Sequence, residues 1–407
     1  MDNQSHRLAA APDPAPLSLW RLCWLYLKIG MTGLGPAFLV ETQQQLVKKL
    51  RLVSEQDFIN GLALAQLLPG ATYVSLTVYL GFKLRGIKGA VVSFFAFLLP
   101  SFIVMLLLSM VYFSFGARPI VHVLFTGMTV VMAGLLPYTS LNIAKSVLSG
   151  WRDGLLFAFG FGLSLYDSNV LTLLLAAALC GVLLNGLARH RPARAQTPPT
   201  MRNEPYTPGK QLLWLLTGSA IGLFAALLLV RAFQPMLLQL IYVFARMGTL
   251  LFGGGSAMIP FMQQEVVAHY HWLSLNQFMV GITLGQITPG PFLITATFVG
   301  YKVAAISGAI ASALSIFLPS LFLVIAVAGV HERIQHNHWV QAAIKGIAAA
   351  FAGMLWVVAG GLIQHAVADI PSALIALAVF GAMLSGKLQT PWVILLGTGA
   401  YGLWMMV

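Results

Sequence analysis

Acidic residues are scarce in this sequence. Asp and Glu fill only 11 of 407 positions, against 23 Lys and Arg, and all charged residues together make up 8% of the chain. A water-soluble domain carries roughly 25% charged residues, so water is not the main solvent here. Cysteine is almost missing. The two present, Cys23 and Cys180, lie in apolar segments, which excludes a disulfide framework and leaves them as small apolar side chains. The chain shows no Ser/His/Asp arrangement, no GxxxxGK[ST] phosphate loop and no zinc-type Cys/His spacing, which argues against an enzyme or an ATP-driven pump and implies no cofactor or metal. The first 16 residues are polar and rich in Pro and Ala, without the apolar core of a removable signal peptide.

Apolar residues are abundant at 58%. Uncharged runs near the ~20 residues that span a bilayer recur at 90–111, 120–136, 171–187, 212–230, 306–330 and 391–406. The expected fold is therefore an all-α polytopic membrane protein with the lipid bilayer as its solvent. A net charge of +12 would point to nucleic acid in a soluble chain. Here cytoplasmic loops rich in Lys and Arg account for it, and no nucleic acid is expected.

One segment interrupts the apolar pattern near the middle. Residues 189–210 are basic, polar and Pro-rich and read as a solvated linker. The sequences on either side repeat each other. Lys28-Ile29-Gly30 matches Arg246-Met247-Gly248, Gln66-Leu67-Leu68-Pro69-Gly70 matches Gln286-Ile287-Thr288-Pro289-Gly290, and Pro100-Ser101 matches Pro319-Ser320, all at offsets of 218 to 220. Such constancy over about a hundred residues indicates duplication, a common transporter architecture. The chain divides into a polar tail (1–16), a first repeat (17–188), the linker (189–210), one unpaired transmembrane helix (211–231) and a second repeat (232–407).

Each half contains two segments broken by Gly and Pro, at 30–36 and 69–70 in the first and at 253–255 and 289–291 in the second. If all four are re-entrant hairpins and the linker is cytoplasmic, 17 Lys and Arg fall inside and 3 (Arg118, Arg231 and Lys302) outside, as the positive-inside rule requires. The single helix at 211–231 then inverts the second half relative to the first. Reading each broken segment as one crossing also inverts the halves, with thirteen spans, but places Lys48, Lys49 and Arg51 outside. Continuous helices merely kinked at Pro and Gly are the other alternative.

Lys28 and Arg246 are matched cations inside apolar segments, each just before a Gly-rich break. A cation held in a membrane is costly, so its repetition points to anion binding, with snorkelling to the interface as the alternative. After Gly35 and after Gly253-Gly254-Gly255 a new helix begins, and its free N–H groups suit an oxyanion. Gln66 with Pro69-Gly70, and Gln286 with Pro289-Gly290, are candidates to line the same path; hydrogen bonding between helices is the rival reading. Glu41 and Glu265 are weaker candidates for a coupling proton, with offsetting the nearby cations as the alternative, since Gln45 rather than Glu41 aligns with Glu265. His269 and His271 form an H-x-H best read as an outer loop.

At these residues the sequence resembles the chromate ion transporter family in its long, two-domain form. The resemblance rests on FGGGSAMIPFMQQEVV, on the stretch WLSLNQFMVGITLGQITPGPFLITATFVGYKVAAISGAI, on LLPGATYVSLTVYLGFKLRGIKGA, and on the paired FLLPS and FLPS, and it covers roughly residues 17–407. It implies a secondary transporter of the bacterial inner membrane that exports chromate and confers chromate resistance, with sulfate as the structural analogue. A sulfate or other oxyanion transporter is the alternative, and a non-transporting scaffold or sensor needs no repeated intramembrane cations. A homodimer stays open. The first half departs from the family motif, with Gly33-Leu34-Gly35-Pro36 in place of a full FGGG.

Overall fold

The computed structural model describes residues 17–33, 37–116, 118–166, 170–186, 235–250, 255–327 and 338–406. The linker at 189–210 and the unpaired helix at 211–231 lie outside the described residues, as do Gly35, Gly253 and Gly254.

The first half opens with short helices. Helix α1 (Leu19–Thr32) has 14 residues, α2 (Ala37–Gln43) runs into a π-helical turn (Gln44–Lys49), and α3 (Glu55–Leu67) has 13 residues. A helix of 13 or 14 residues is about 20 Å long, short of the ~30 Å hydrocarbon core. Each therefore reaches only part of the way across. Ser18 and Ser54 start α1 and α3 by accepting the N–H of Arg21 and Asp57 at 3.3 and 3.0 Å, the usual cap for exposed helix-start donors.

Helix α4 (Thr72–Phe115) turns back on itself. Arg85 and Gly86 leave helical geometry, Gly86 with φ 59°. The arms 72–84 and 87–115 then lie against each other: a Cβ on Gly89 would sit 2.1 Å from the Gly81 carbonyl oxygen, and Ser93 Oγ donates to Thr77 O at 3.2 Å. Gly61 of α3 faces the Tyr79 ring at similarly close range. So α3 and the first arm of α4 form a hairpin whose tip is Pro69-Gly70. The break at Pro69-Gly70, like its copy at Pro289-Gly290, is the tip of a hairpin and not a kink in a continuous helix.

The remaining helices of this half are α5 (Pro119–Val147), α6 (Trp151–Tyr166) and α7 (Val170–Gly181). The second half repeats the order with α8 (Pro235–Leu250), α9 (Ile259–Gln263, followed by a π-helical turn at Gln264–His269), α10 (Leu275–Ile287), α11 (Thr295–Val327), α12 (His338–Ala366), α13 (Ile370–Ser385) and α14 (Thr390–Met406). The repeat extends to unusual backbone angles. Arg51 and His271 both have positive φ (50° and 52°), as do Gly70 and Gly290 (133° and 99°) and Gly86 and Ala305 (59° and 49°). His271 thus belongs to a repeated turn, with Nδ1 2.8 Å from Val267 O.

The halves are inverted. Residues 146–149 at the end of α5 share a cavity with Gln341 and Lys345 at the start of α12. At the other end, His122 near the start of α5 shares a second cavity with Asn276, which bonds His365 near the end of α12 at 3.0 Å. These matched 29-residue helices therefore run antiparallel, which requires inversion.

The halves also exchange helices: α6 and α7 pack on α12, and α13 and α14 pack on α5. Small residues allow the backbones to touch, as is usual where lipid supplies no hydrophobic drive. A Cβ on Gly353 would lie 2.2 Å from Phe157 O, and one on Gly346 would lie 2.4 Å from Ala177 O. On the same helix Gly360 has open space around it. Gly353→Leu is therefore expected to separate α6 from α12 and lower the unfolding midpoint of detergent-extracted protein strongly, because overpacking costs about 1–3 kcal/mol or more. Gly360→Leu should leave it near that of the unaltered protein. Among the described residues four helices are long and apolar enough to cross a membrane, and the exposed Leu, Phe and Trp side chains along them suit lipid.

Candidate functional site

The hairpin tips converge. Gly290 N–H at the second-half tip donates to the Gly33 carbonyl, at the end of α1, at 2.9 Å. Gly255 at the start of the segment leading to α9 packs against Phe292, just beyond that tip. Each Pro-Gly tip also presses on a serine of the opposite half. A Cβ on Gly70 would lie 2.4 Å from Ser320 Oγ, and one on Gly290 would lie 1.9 Å from Ser101 Oγ. Only glycine fits there, and only glycine tolerates the backbone angles of both positions. The arms of α4 and α11 begin immediately after the tips, so their first N–H groups have no intrahelical partners and carry partial positive charge.

Two cavities flank this junction at opposite ends of the α5/α12 pair. The first, about 390 Å³, is lined by Gln66, Ser146, Ser149, Gln341 and Lys345 among others. Lys145 and Arg152 lie beside it in the chain. The second, about 270 Å³, contains His122, Thr126, Asn276, Gln277 and Lys302, at the end that carries few cations. Each cavity holds one lysine. Lys345 Nζ lies 3.0 Å from Asp153 Oδ2, an ion pair between the halves. Lys302 rests over the Phe113 ring at 5.2 Å. Its first-half counterpart Lys83 pairs with Asp57, but position 277, which matches Asp57, is Gln.

The sequence-predicted residues separate into groups. Pro69, Gly70, Pro289, Gly290 and Gly255 sit at or beside the tips. Gln66 opens into the first cavity, whereas Gln286 is half-buried near the second tip. The two matched cations are not equivalent. Lys28 lies on the exposed side of α1, while Arg246 is half-buried and its guanidinium pairs with Glu265. The Arg246 guanidinium also lies over the Phe261 and Tyr242 rings at 5.4 and 5.5 Å, and its Nε has no partner among the described residues. In the first half, Gln45 occupies the place of Glu265 and donates instead to Glu41 at 2.9 Å. Glu265 is thus paired with Arg246 in this structure. Sequence reasoning did not select Ser101, Ser320, Asp153 or Lys345. The repeated Pro-Ser pair was a visible signal for the serines; the ion pair joins residues 153 and 345, and no repeat marks it.

The family model described as chromate transporter matches the chain twice, over residues 20–182 and 238–403, one match for each half. A chromate transport protein of Cupriavidus metallidurans is 31% identical over 394 residues, covering 95% of this chain and 93% of its own. An uncharacterised transporter of Methanocaldococcus jannaschii is 30% identical over 354 residues, covering 87% and 86%. A probable chromate transport protein of Synechococcus elongatus is 27% identical over 388 residues, covering 93% and 94%. No solved structure matches. Two matched halves, each with the same pair of hairpin tips and each covered by the same family model, establish that this chain belongs to the chromate transporter family.

Proposed function

We propose that this protein is a secondary transporter that exports chromate from the cytoplasm across the bacterial inner membrane and thereby confers chromate resistance. The observation that carries the reading is the meeting of re-entrant tips from inverted halves between two cavities, one at each end of the α5/α12 pair. Inverted repeats with broken helices at mid-membrane are the geometry of alternating access. The family membership and the printed names of the relatives from Cupriavidus and Synechococcus supply chromate as the substrate.

Chromate enters the first cavity from the cytoplasm; there Gln66 offers amide donors and Lys345 offers charge. It then reaches the tips, where backbone N–H groups beyond Gly70, Gly255 and Gly290 replace part of its hydration. Arg246 contributes positive potential from the second half, partly offset by Glu265, and Lys28 contributes from the first. The dianion leaves past Lys302 as the halves rock. An inside-negative potential favours exit by about 2.3 kcal/mol per charge per 100 mV, so the potential alone can drive export.

Everted membrane vesicles containing the protein should accumulate chromate in preference to sulfate and molybdate. Uptake no greater than in vesicles without the protein would refute the reading, and a preference for sulfate would replace it with a general oxyanion transporter. Arg246→Gln should reduce uptake to background in the same vesicles, with the extracted protein still monodisperse; undiminished uptake would remove Arg246 from the site.

A further inference from the structure

The two tips differ in one hydrogen bond. At the first-half tip the N–H of Ala71 donates to Ser320 Oγ at 3.0 Å, in a fully buried contact between the halves. The matched contact at the second-half tip places Ser101 against Gly290. Position 291, which matches Ala71, is Pro and has no N–H to give. Ser101 is completely buried, and its Oγ has no hydrogen-bond partner among the described residues. A buried hydroxyl without a partner is unfavourable, and it persists here beside a helix start. The first backbone bond of that start runs from Ile294 N–H to Pro291 O at 3.0 Å, so the N–H groups of Phe292 and Leu293 precede it without intrahelical acceptors.

We infer that Ser101 is a substrate-binding residue, whose hydroxyl donates a hydrogen bond to a tetrahedral oxyanion held against the second-half tip. The inference rests on the transport reading above. A hydroxyl from one half and two backbone N–H groups from the other lie at the same tip, and all are donors to an anion that brings only acceptors. Ser320 has a different task, because it already accepts from Ala71 and ties the first-half tip in place. The tips therefore divide the work: the first is anchored by its serine and the second presents its serine to the ligand. Ser101 does not line either of the two cavities described above.

Full-length Ser101→Ala, Pro291→Ala, Ser101→Ala/Pro291→Ala and Ser320→Ala variants test this in everted vesicles, with chromate as the probe. Ser101→Ala should raise the KM for chromate about tenfold or more, the loss expected for a hydrogen bond to a charged ligand. Its unfolding midpoint should stay the same or rise, because an unpartnered hydroxyl is removed. Pro291→Ala should also raise KM, because the new N–H engages Ser101 as Ala71 engages Ser320, and the double variant should be no worse than Ser101→Ala. Ser320→Ala should lower the unfolding midpoint with little change in KM. An unchanged KM in Ser101→Ala, or a drop in its midpoint as large as that of Ser320→Ala, overturns the inference while the transport reading stands. Absence of chromate, sulfate and molybdate flux in the unaltered protein overturns both.

Discussion

Gly290→Ala is expected to reduce chromate flux at least a hundredfold. Two independent effects act at this position. The backbone φ of 99° is one that L side chains rarely adopt, and forcing a non-glycine residue there costs on the order of 1–3 kcal/mol. The new methyl would also lie 1.9 Å from Ser101 Oγ, on a helix of the opposite half that cannot retreat without moving its neighbours. The strain falls on the contact about which the halves must move. Gly70→Ala should behave alike, with φ 133° and Ser320 Oγ at 2.4 Å. Two other glycines separate strain from collision. Gly386 has φ 65° and open space around it, and Gly86 has φ 59°, open space and an alanine, Ala305, at the matched turn. Alanine at 86 or 386 should leave flux within a fewfold of the unaltered protein. Vesicle uptake normalised to the amount of folded protein reads all four. Equal effects at 86, 386 and 290 would mean that backbone strain alone matters and that the tip contact has no special role.

The repeat explains why these tips were visible before any coordinates. Pro69-Gly70 and Pro289-Gly290 stand at a constant offset with a long apolar run on each side, so sequence alone placed the breaks and the duplication. The inversion followed from the unpaired apolar run at 211–231, which carries the chain across once between the halves, and charge counting separated the re-entrant reading from the thirteen-span one. The reversal at Arg85-Gly86 was less legible. Its second-half copy is Ala304-Ala305, which carries no turn signature, although Lys83, Arg85 and Lys88 surround the first turn and Lys302 precedes the second. Matched cations were a weaker guide than matched glycines. A glycine position is set by backbone contacts that both halves must make, as at Gly81/Gly89 and Gly300/Gly308. A cation can keep its position while its partner changes, as the pairing of Arg246 with Glu265 and the exposure of Lys28 show.

The ion pair hidden from the sequence leads to the second large effect. Lys345→Ala is expected to destabilise the protein far more than Asp153→Ala, although each removes one half of the same pair. The Asp153 side chain is 3% exposed, whereas that of Lys345, which lines the first cavity, is 42% exposed. Removing the lysine strands a buried carboxylate, one oxygen of which, Oδ1, already lacks a partner among the described residues, and stranding a buried charge costs about 3–5 kcal/mol. Asp153 would keep only the N–H of Ser149, at 3.0 Å. Removing the aspartate leaves an ammonium that the cavity still hydrates, so the penalty is smaller, and it leaves the cavity more positive. Lys345→Ala combined with Asp153→Asn should recover most of the stability, since no charge is then stranded. Transport by that double variant isolates the role of the cation. If Lys345 draws chromate into the cavity, the double variant folds but shows a raised KM with a steeper loss at high ionic strength removed, because the screened attraction is gone. Asp153→Ala should show the converse, a lowered KM at low salt that rises as salt is added. A double variant with unaltered KM and salt dependence would reduce the pair to a bolt between α6 and α12, and would leave anion recruitment at this end to Gln66 and the helix starts at the tips.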